Sequence, residues 1–345
     1  MGSELAGFDW PKRLSLRAGE VVTVRSKSEI LATLDREGRL DGMPFMPEML
    51  RHCGQTLRVS KRAERACDTV KTGRGRRVHD SVHLENVRCD GSAHGGCQAL
   101  CLTWWKEAWL RRPEDPVPAA KPQMTEDDLL RTTRKRGYIG ADVYSCQVTR
   151  LPEWSHAMRS WDPRLVVREI RGGNVTPGKA LSVVWHAFTN VVRRRVLRVR
   201  PEPHIIGRCT VKTPSGGIPG LKAGDWVVIK SKEEIEATLN PQQRNRGLYF
   251  DIELLPFCGR KMRLLQKVDK IIDEKNGVMM ALPNDCWIVE GAFCAGYQSR
   301  RRLFCTREIY PFWREIWFTR AAPPEELAGT ARDAVVAGEG AHAGL

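Results

Sequence analysis

Two stretches of this chain carry the same order of apolar and polar positions. Arg17-Ala18-Gly19-Glu20 leads into Val21-Val22-Thr23-Val24-Arg25, and Lys222-Ala223-Gly224-Asp225 leads into Trp226-Val227-Val228-Ile229-Lys230. A glycine–acid turn feeding a β-branched run predicts a strand. Ser26 and Ser231 then precede Glu29 and Glu234 by three residues, the spacing of a capping box, and Ile30, Leu31 and Leu34, or Ile235 and Leu239, give a short helix its apolar face. Thr56-Leu57-Arg58-Val59 and Lys261-Met262-Arg263-Leu264-Leu265 alternate as half-exposed strands do, and turns follow at Thr72-Gly73-Arg74-Gly75 and Glu274-Lys275-Asn276-Gly277. Trp105 with Trp109, and Trp313 with Trp317, stand four apart, which predicts Trp-rich helices over 97–111 and 305–320 with the rings buried on one face.

The correspondence keeps a constant offset of 205 from Gly19 and Gly224 through Cys53 and Cys258 to Cys89 and Cys294, and an offset of 208 at Cys97 and Cys305. A long period repeated once means two copies of a domain. The expected organisation is a first unit over 17–112, a helical connecting segment over 123–200, a proline- and glycine-rich linker over 201–220, a second unit over 221–320 and a disordered tail over 321–345. Within the connecting segment, Thr125 caps one helix, Asp162-Pro163 opens another that stops at Gly172-Gly173, and Thr176-Pro177 starts a long amphipathic one. Leu181, Val184, Trp185, Phe188, Val192 and Val196 share the apolar face of that last helix. The Gly224-Asp225-Trp226-Val227 opening resembles that of SH3-like barrels. The expected fold is mainly β with α: two tandem SH3-like small barrels, each closed by a Trp-rich helix and joined by the helical segment.

The chain has 345 residues, a formal charge of +15 and eleven cysteines. Residues 1–10 hold no basic region followed by an apolar run, and no segment approaches the roughly eighteen apolar residues of a membrane span. The expectation is a cytoplasmic protein. Thiols stay reduced there, so the cysteines read as metal ligands, reactive thiols or core residues rather than disulfides. The charge points to another protein or an anionic macromolecule as partner, nucleic acid included. Arg74, Arg76, Arg77, Arg131, Arg134, Lys135, Arg136 and the arginines from Arg193 to Arg200 would carry that contact.

Cys53, Cys89 and Cys97 recur as Cys258, Cys294 and Cys305, while Cys67 and Cys286 belong to one copy each, on opposite arms of the same predicted hairpin. The expectation is therefore one four-thiol site per copy: Cys53, Cys67, Cys89 and Cys97, then Cys258, Cys286, Cys294 and Cys305. Four soft thiolates suit tetrahedral zinc or an iron–sulfur cluster. Cys101, His83 and His94 are alternates in the first copy. Cys146 and Cys209 lie outside both copies, read as structural thiols, and no base is fixed beside them in sequence. The recurring acids, Glu85 with Glu290 and Glu107 with Glu315, read as anchors of a turn or an arginine. The function expected is a metal-binding accessory or interaction protein, with nucleic-acid binding or thiol- or cluster-dependent redox chemistry as alternatives.

Cys89-Asp90-Gly91-Ser92-Ala93-His94 resembles the Cys-Asp-Gly-Ser-His stretch of one iron–sulfur family, departing from it by Ala93 and by Asn86 and Val87 where that family has a ligand. Over nearly its full length the chain resembles uncharacterised bacterial proteins with tandem SH3-like, cysteine-containing repeats. Ser231-Lys232-Glu233-Glu234-Ile235 and Phe312-Trp313-Arg314-Glu315-Ile316-Trp317 carry that resemblance. It implies the repeat architecture and no activity.

Overall fold

Gly19 and Gly224 take φ of 91° and 92°, and their N–H groups reach Val59 O and Leu264 O at 2.8 Å. These left-handed turns, which favour glycine, start the strands Val21–Val24 and Trp226–Ile229. Both capping boxes are closed: Ser26 and Ser231 accept from Glu29 N and Glu234 N, whose carboxylates accept in return, and they begin the helices Lys27–Leu31 and Lys232–Thr238. The structure, a computed structural model, describes residues 14–117, 119–137, 140–158, 163–299 and 302–324.

The architecture is mixed α/β, with several small antiparallel sheets. One five-stranded sheet runs in the order Trp105–Lys106, Ser81–Leu84, Thr56–Arg62, Val21–Val24, Leu110–Arg111. Another runs Trp313–Arg314, Cys286–Val289, Lys261–Lys267, Trp226–Ile229, Phe318–Ala321. Val21 pairs with Arg58 as Trp226 pairs with Arg263, and the ladders slip at Val59/Lys61 and at Leu264/Gln266. Pairing and bulge thus keep the offset seen in sequence. Among the described residues neither sheet closes into a barrel.

The segments expected to be Trp-rich helices are not helical. Trp105–Lys106 and Leu110–Arg111 are strands joined by the 3-10 turn Glu107–Trp109, and Trp313–Arg314 and Phe318–Ala321 are joined by Glu315–Trp317 in the same way. A spacing of four buries both rings on a strand–turn–strand path as well as on a helix. Trp105, Trp109, Trp313 and Trp317 are fully buried, and Phe45 and Phe250 stand edge-on to Trp109 and Trp317 at 5.0 and 5.1 Å. Glu107 anchors the first turn by accepting from Ser15 N, Leu16 N and Arg62 Nη1, each at 3.0 Å. Its counterpart Glu315 accepts from Trp287 Nε1 at 2.8 Å.

The chain divides into two compact units, and their boundaries cross the repeat. Of the described residues, one comprises those up to His204 with Asp269–Leu282 and Phe293–Tyr310; the other comprises Ile205–Val268, Pro283–Ala292 and those from Pro311 on. The hairpin of the second copy and its cysteine loop therefore belong to the first unit. The connecting segment belongs there too, since Leu129, Val148, Leu151 and Trp154 share a core with Val22, Ile30 and Trp109. The expected linker instead contributes Ile205 to the core of the second unit. From residue 325 the expected tail lies outside the described residues.

Helices form at Glu126–Thr132, Pro163–Arg171 and Pro177–Arg195, the first and last capped by Thr125 and Thr176. The long helix buries Ala180, Val183 and Ala187, while Leu181, Trp185 and Phe188 of its expected core face are exposed. Among the described residues no helix is long and apolar enough to cross a membrane.

Two buried groups of the first unit titrate in opposite senses. Burial pushes His83 down to about 3, although its Nδ1 donates to Thr103 O at 2.7 Å. As pH falls from about 6.5 to about 3, the unfolded chain takes a proton that the folded chain refuses, so stability drops by about 1.4 kcal/mol per pH unit. Burial pushes Glu169 up to about 7, so the folded chain takes that proton first and gains stability as pH falls from about 7 to about 4.5. The two contributions cancel between about 6.5 and 4.5, and the loss from His83 stands unopposed below that window. Glu169→Gln is expected to move the onset of this acid destabilisation from about pH 4.5 up to about pH 6.5, read from urea midpoints across pH. An unmoved onset would count against the assignment.

Candidate metal centre

Between the strands Ser81–Leu84 and Trp105–Lys106 the chain makes a tight cysteine loop. Cys89 N donates to Cys101 O at 2.9 Å, His94 N and Gly96 N both donate to Gly91 O at 2.9 Å, and Cys97 N donates to His94 O at 3.2 Å. Gly91, at φ 71°, lets the loop close, because a Cβ there would lie 2.1 Å from Cys97 O and 2.6 Å from Cys97 N. Cys146 arrives from the non-repeated segment. The next residue, Gln147, is buried; its Nε2 donates to Pro44 O at 3.1 Å and Trp104 O at 2.8 Å, and its Oε1 accepts from Trp104 N at 2.9 Å. That amide fastens the Cys146 segment to the backbone of Trp104, just before the strand Trp105–Lys106.

Cys89, Cys97, Cys101 and Cys146 all line one cavity of about 40 Å³, walled also by Met46 and Trp104. Cys89 lies within electrostatic reach of Cys101 and Cys146, and each of those two within reach of Cys97. Burial pushes the thiols of Cys89, Cys101 and Cys146 up from their ordinary value, so a thiophilic metal entering here displaces protons. Among the described residues the only group of three or more metal-ligating atoms mutually within 4.8 Å is Glu48, Cys89 and His94. No three of the four sulfurs are therefore as close as one zinc ion with bonds of about 2.3 Å would draw them. An iron–sulfur cluster interposes irons and sulfides, and takes thiolates spaced more widely.

Glu48 and His94 act as a clamp on the loop. Glu48 Oε1 accepts from His94 Nδ1 at 2.6 Å, Ala93 N at 3.0 Å and the Cys89 thiol at 3.8 Å. His94 Nε2 faces Ser145 O at 3.1 Å. With an oxygen before each ring nitrogen, His94 turns neither nitrogen toward a metal. The pair positions Cys89 instead.

Among the described residues no three thiols of either four-thiol set expected from the repeat lie within 4.8 Å of one another. Cys53 and Cys258 each cap a 3-10 turn, Pro47–His52 and Ile252–Phe257, and pack beside the two cores. Burial is the main cause that pushes them up to about 12 and about 11. Cys286 lies in a strand of the second unit, its sulfur 3.0 Å from Arg314 Nη1. Cys294 and Cys305 belong to the first unit, where Cys67 and Cys305 are both buried and within reach of one another. Of the first set only Cys89 and Cys97 reach the cavity, and their companions are Cys101, an alternate in the sequence reading, and Cys146, which was read as structural. The Cys97-x-x-x-Cys101 spacing is the local signal for the former; Cys146 is separated by too much chain to leave one. Several of the basic residues are engaged within the chain: Arg76 bonds Ser155 and Pro152, Arg131 pairs with Asp128, and Arg134 with Asp142.

Comparison with protein-family models, with curated proteins and with solved structures found no match for this chain.

Proposed function

We propose that this chain is an accessory or interaction protein that carries an iron–sulfur cluster on Cys89, Cys97, Cys101 and Cys146. The observation that carries this reading is that four cysteines, drawn from a folded-back loop and from a distant segment, line one buried cavity. Spacing favours a cluster over a single zinc ion, since no three of these sulfurs lie within 4.8 Å of one another. Gly91, Gln147 and the Glu48–His94 clamp supply the fixed second layer that such a centre requires. Cys101→Ser with Cys146→Ser is expected to release the iron and sulfide held at this cavity, because a closed site does not hold with two of four ligands gone, and to lower the melting temperature of the loaded protein. Unchanged iron content in that variant would remove the proposal.

The proposal extends to architecture. Each five-stranded sheet has the 3-10 turn before its last strand, and that strand pairs with the first, as in SH3-like barrels. An experimental structure in which the two sheets had different strand orders would exclude this part.

A further inference from the structure

The repeat writes the cysteine loop twice, and the second copy is built like the first. Cys294 N donates to Ile309 O at 2.9 Å, as Cys89 N does to Cys101 O, and Cys305 N donates to Arg302 O at 2.9 Å, as Cys97 N does to His94 O. Gly296 stands where Gly91 does, at φ 67°, and a Cβ on it would lie 2.6 Å from Arg302 O and 2.9 Å from Cys305 N. In each loop a left-handed glycine two residues after one cysteine closes the chain onto the next.

The thiol that meets this second loop is Cys67, on the strand Arg65–Cys67. Cys67 and Cys305 are both buried and interact, on segments joined where Thr306 N and Oγ1 donate to Arg65 O at 3.2 and 2.7 Å, and Cys294 lies within electrostatic reach of Cys305. Two buried guanidinium groups accompany them. Arg307 Nη1 lies 3.0 Å from Cys67 O and 4.0 Å from its sulfur. Arg65 is within electrostatic reach of Cys305 and Cys67, and its Nε is buried with no hydrogen-bond partner. Glu274 pairs with Arg307 at 2.9 Å. Buried cations call for opposite charge, and thiolates bound to a metal supply it where neutral thiols do not.

We infer that Cys67, Cys294 and Cys305 hold a second thiolate-ligated centre, an iron–sulfur cluster, with Arg65 and Arg307 balancing its charge. Each thiol that binds gives its proton to solvent. This centre shares no ligand with the cavity of Cys89, Cys97, Cys101 and Cys146, so the two stand or fall separately.

The test uses the full chain purified without oxygen, with iron, zinc and acid-labile sulfide counted per chain. Cys67→Ser with Cys305→Ser is expected to remove the metal of the second centre and leave that of the first, and Cys101→Ser with Cys146→Ser the reverse. Sulfide is expected to be lost in step with the metal; metal lost without sulfide overturns the cluster. Full metal content in the Cys67/Cys305 variant overturns the second centre and leaves the first in place, whereas full content in the Cys101/Cys146 variant does the reverse. The wild-type chain gives a readout free of folding effects: iodoacetamide labelling mapped by peptide before and after stripping with EDTA and ferricyanide. Cys294 is half-buried, so it is expected to be protected while metal is bound and labelled once the metal is gone. Equal labelling in both states, or a Cys67–Cys305 disulfide in the freshly isolated protein, overturns the inference.

Discussion

Trp317→Ala is expected to destabilise the second unit by about 3–5 kcal/mol, the range for truncating a fully buried large aromatic. Its ring is wholly inaccessible and meets Phe250 edge-on at 5.1 Å and Trp313 at 6.4 Å. Its Nε1 donates to Thr238 Oγ1 at 2.9 Å, and that hydroxyl donates onward to Ile235 O at 2.8 Å. The substitution therefore opens a cavity in the core and strips one buried acceptor of its donor. Trp317→Phe keeps most of the apolar area and loses the N–H, so its cost falls between wild type and alanine. Urea unfolding, followed through signals of the second unit, measures both. A loss of less than about 1 kcal/mol for alanine would mean that this ring is not the centre of the core.

Gly91→Ala is expected to unload the cavity. The left-handed backbone alone costs a residue with a Cβ about 1–2 kcal/mol, and here that Cβ would also sit 2.1 Å from Cys97 O. Backbone cannot yield as a flexible side chain does, so the turn reopens and carries Cys97 away from Cys89. Gly54→Ala is the control: its φ is 78°, yet nothing lies within 4 Å of the added carbon. It should pay only the conformational cost and keep its metal. Metal content per chain separates the two, and equal retention would show that closure of the loop on Cys97 is not needed for loading.

The elements were legible wherever the cause is local. Gly19 and Gly224 announce their turns, Ser26 and Ser231 their helices, and the constant offset announces two sheets with the same pairing and the same bulge. The tryptophans were legible as core but not as strand–turn–strand, because a spacing of four is common to both paths. Cys97 and Cys101 were open to reading; the full set at the cavity was not, since Cys146 reaches it only because Gln147 bonds Trp104 across the core. Cys67 and Cys286 looked interchangeable because they occupy opposite arms of equivalent hairpins. The units divide otherwise: the arm with Cys67 belongs with the loop of Cys305, and Cys286 belongs to the other unit. Two arginines that add to the formal charge, Arg65 and Arg307, are buried beside thiols, which no local pattern announces.

The most direct test of the cluster is to purify the full chain without oxygen and measure iron, acid-labile sulfide and zinc per chain together with the visible absorption spectrum. The expected result is iron and sulfide in comparable amounts, with a broad visible absorption that bleaches on reduction and is weakened in the variant lacking Cys101 and Cys146. A colourless protein that holds neither iron nor zinc, and whose Cys89, Cys97, Cys101 and Cys146 all label as free thiols once it is unfolded, would contradict it.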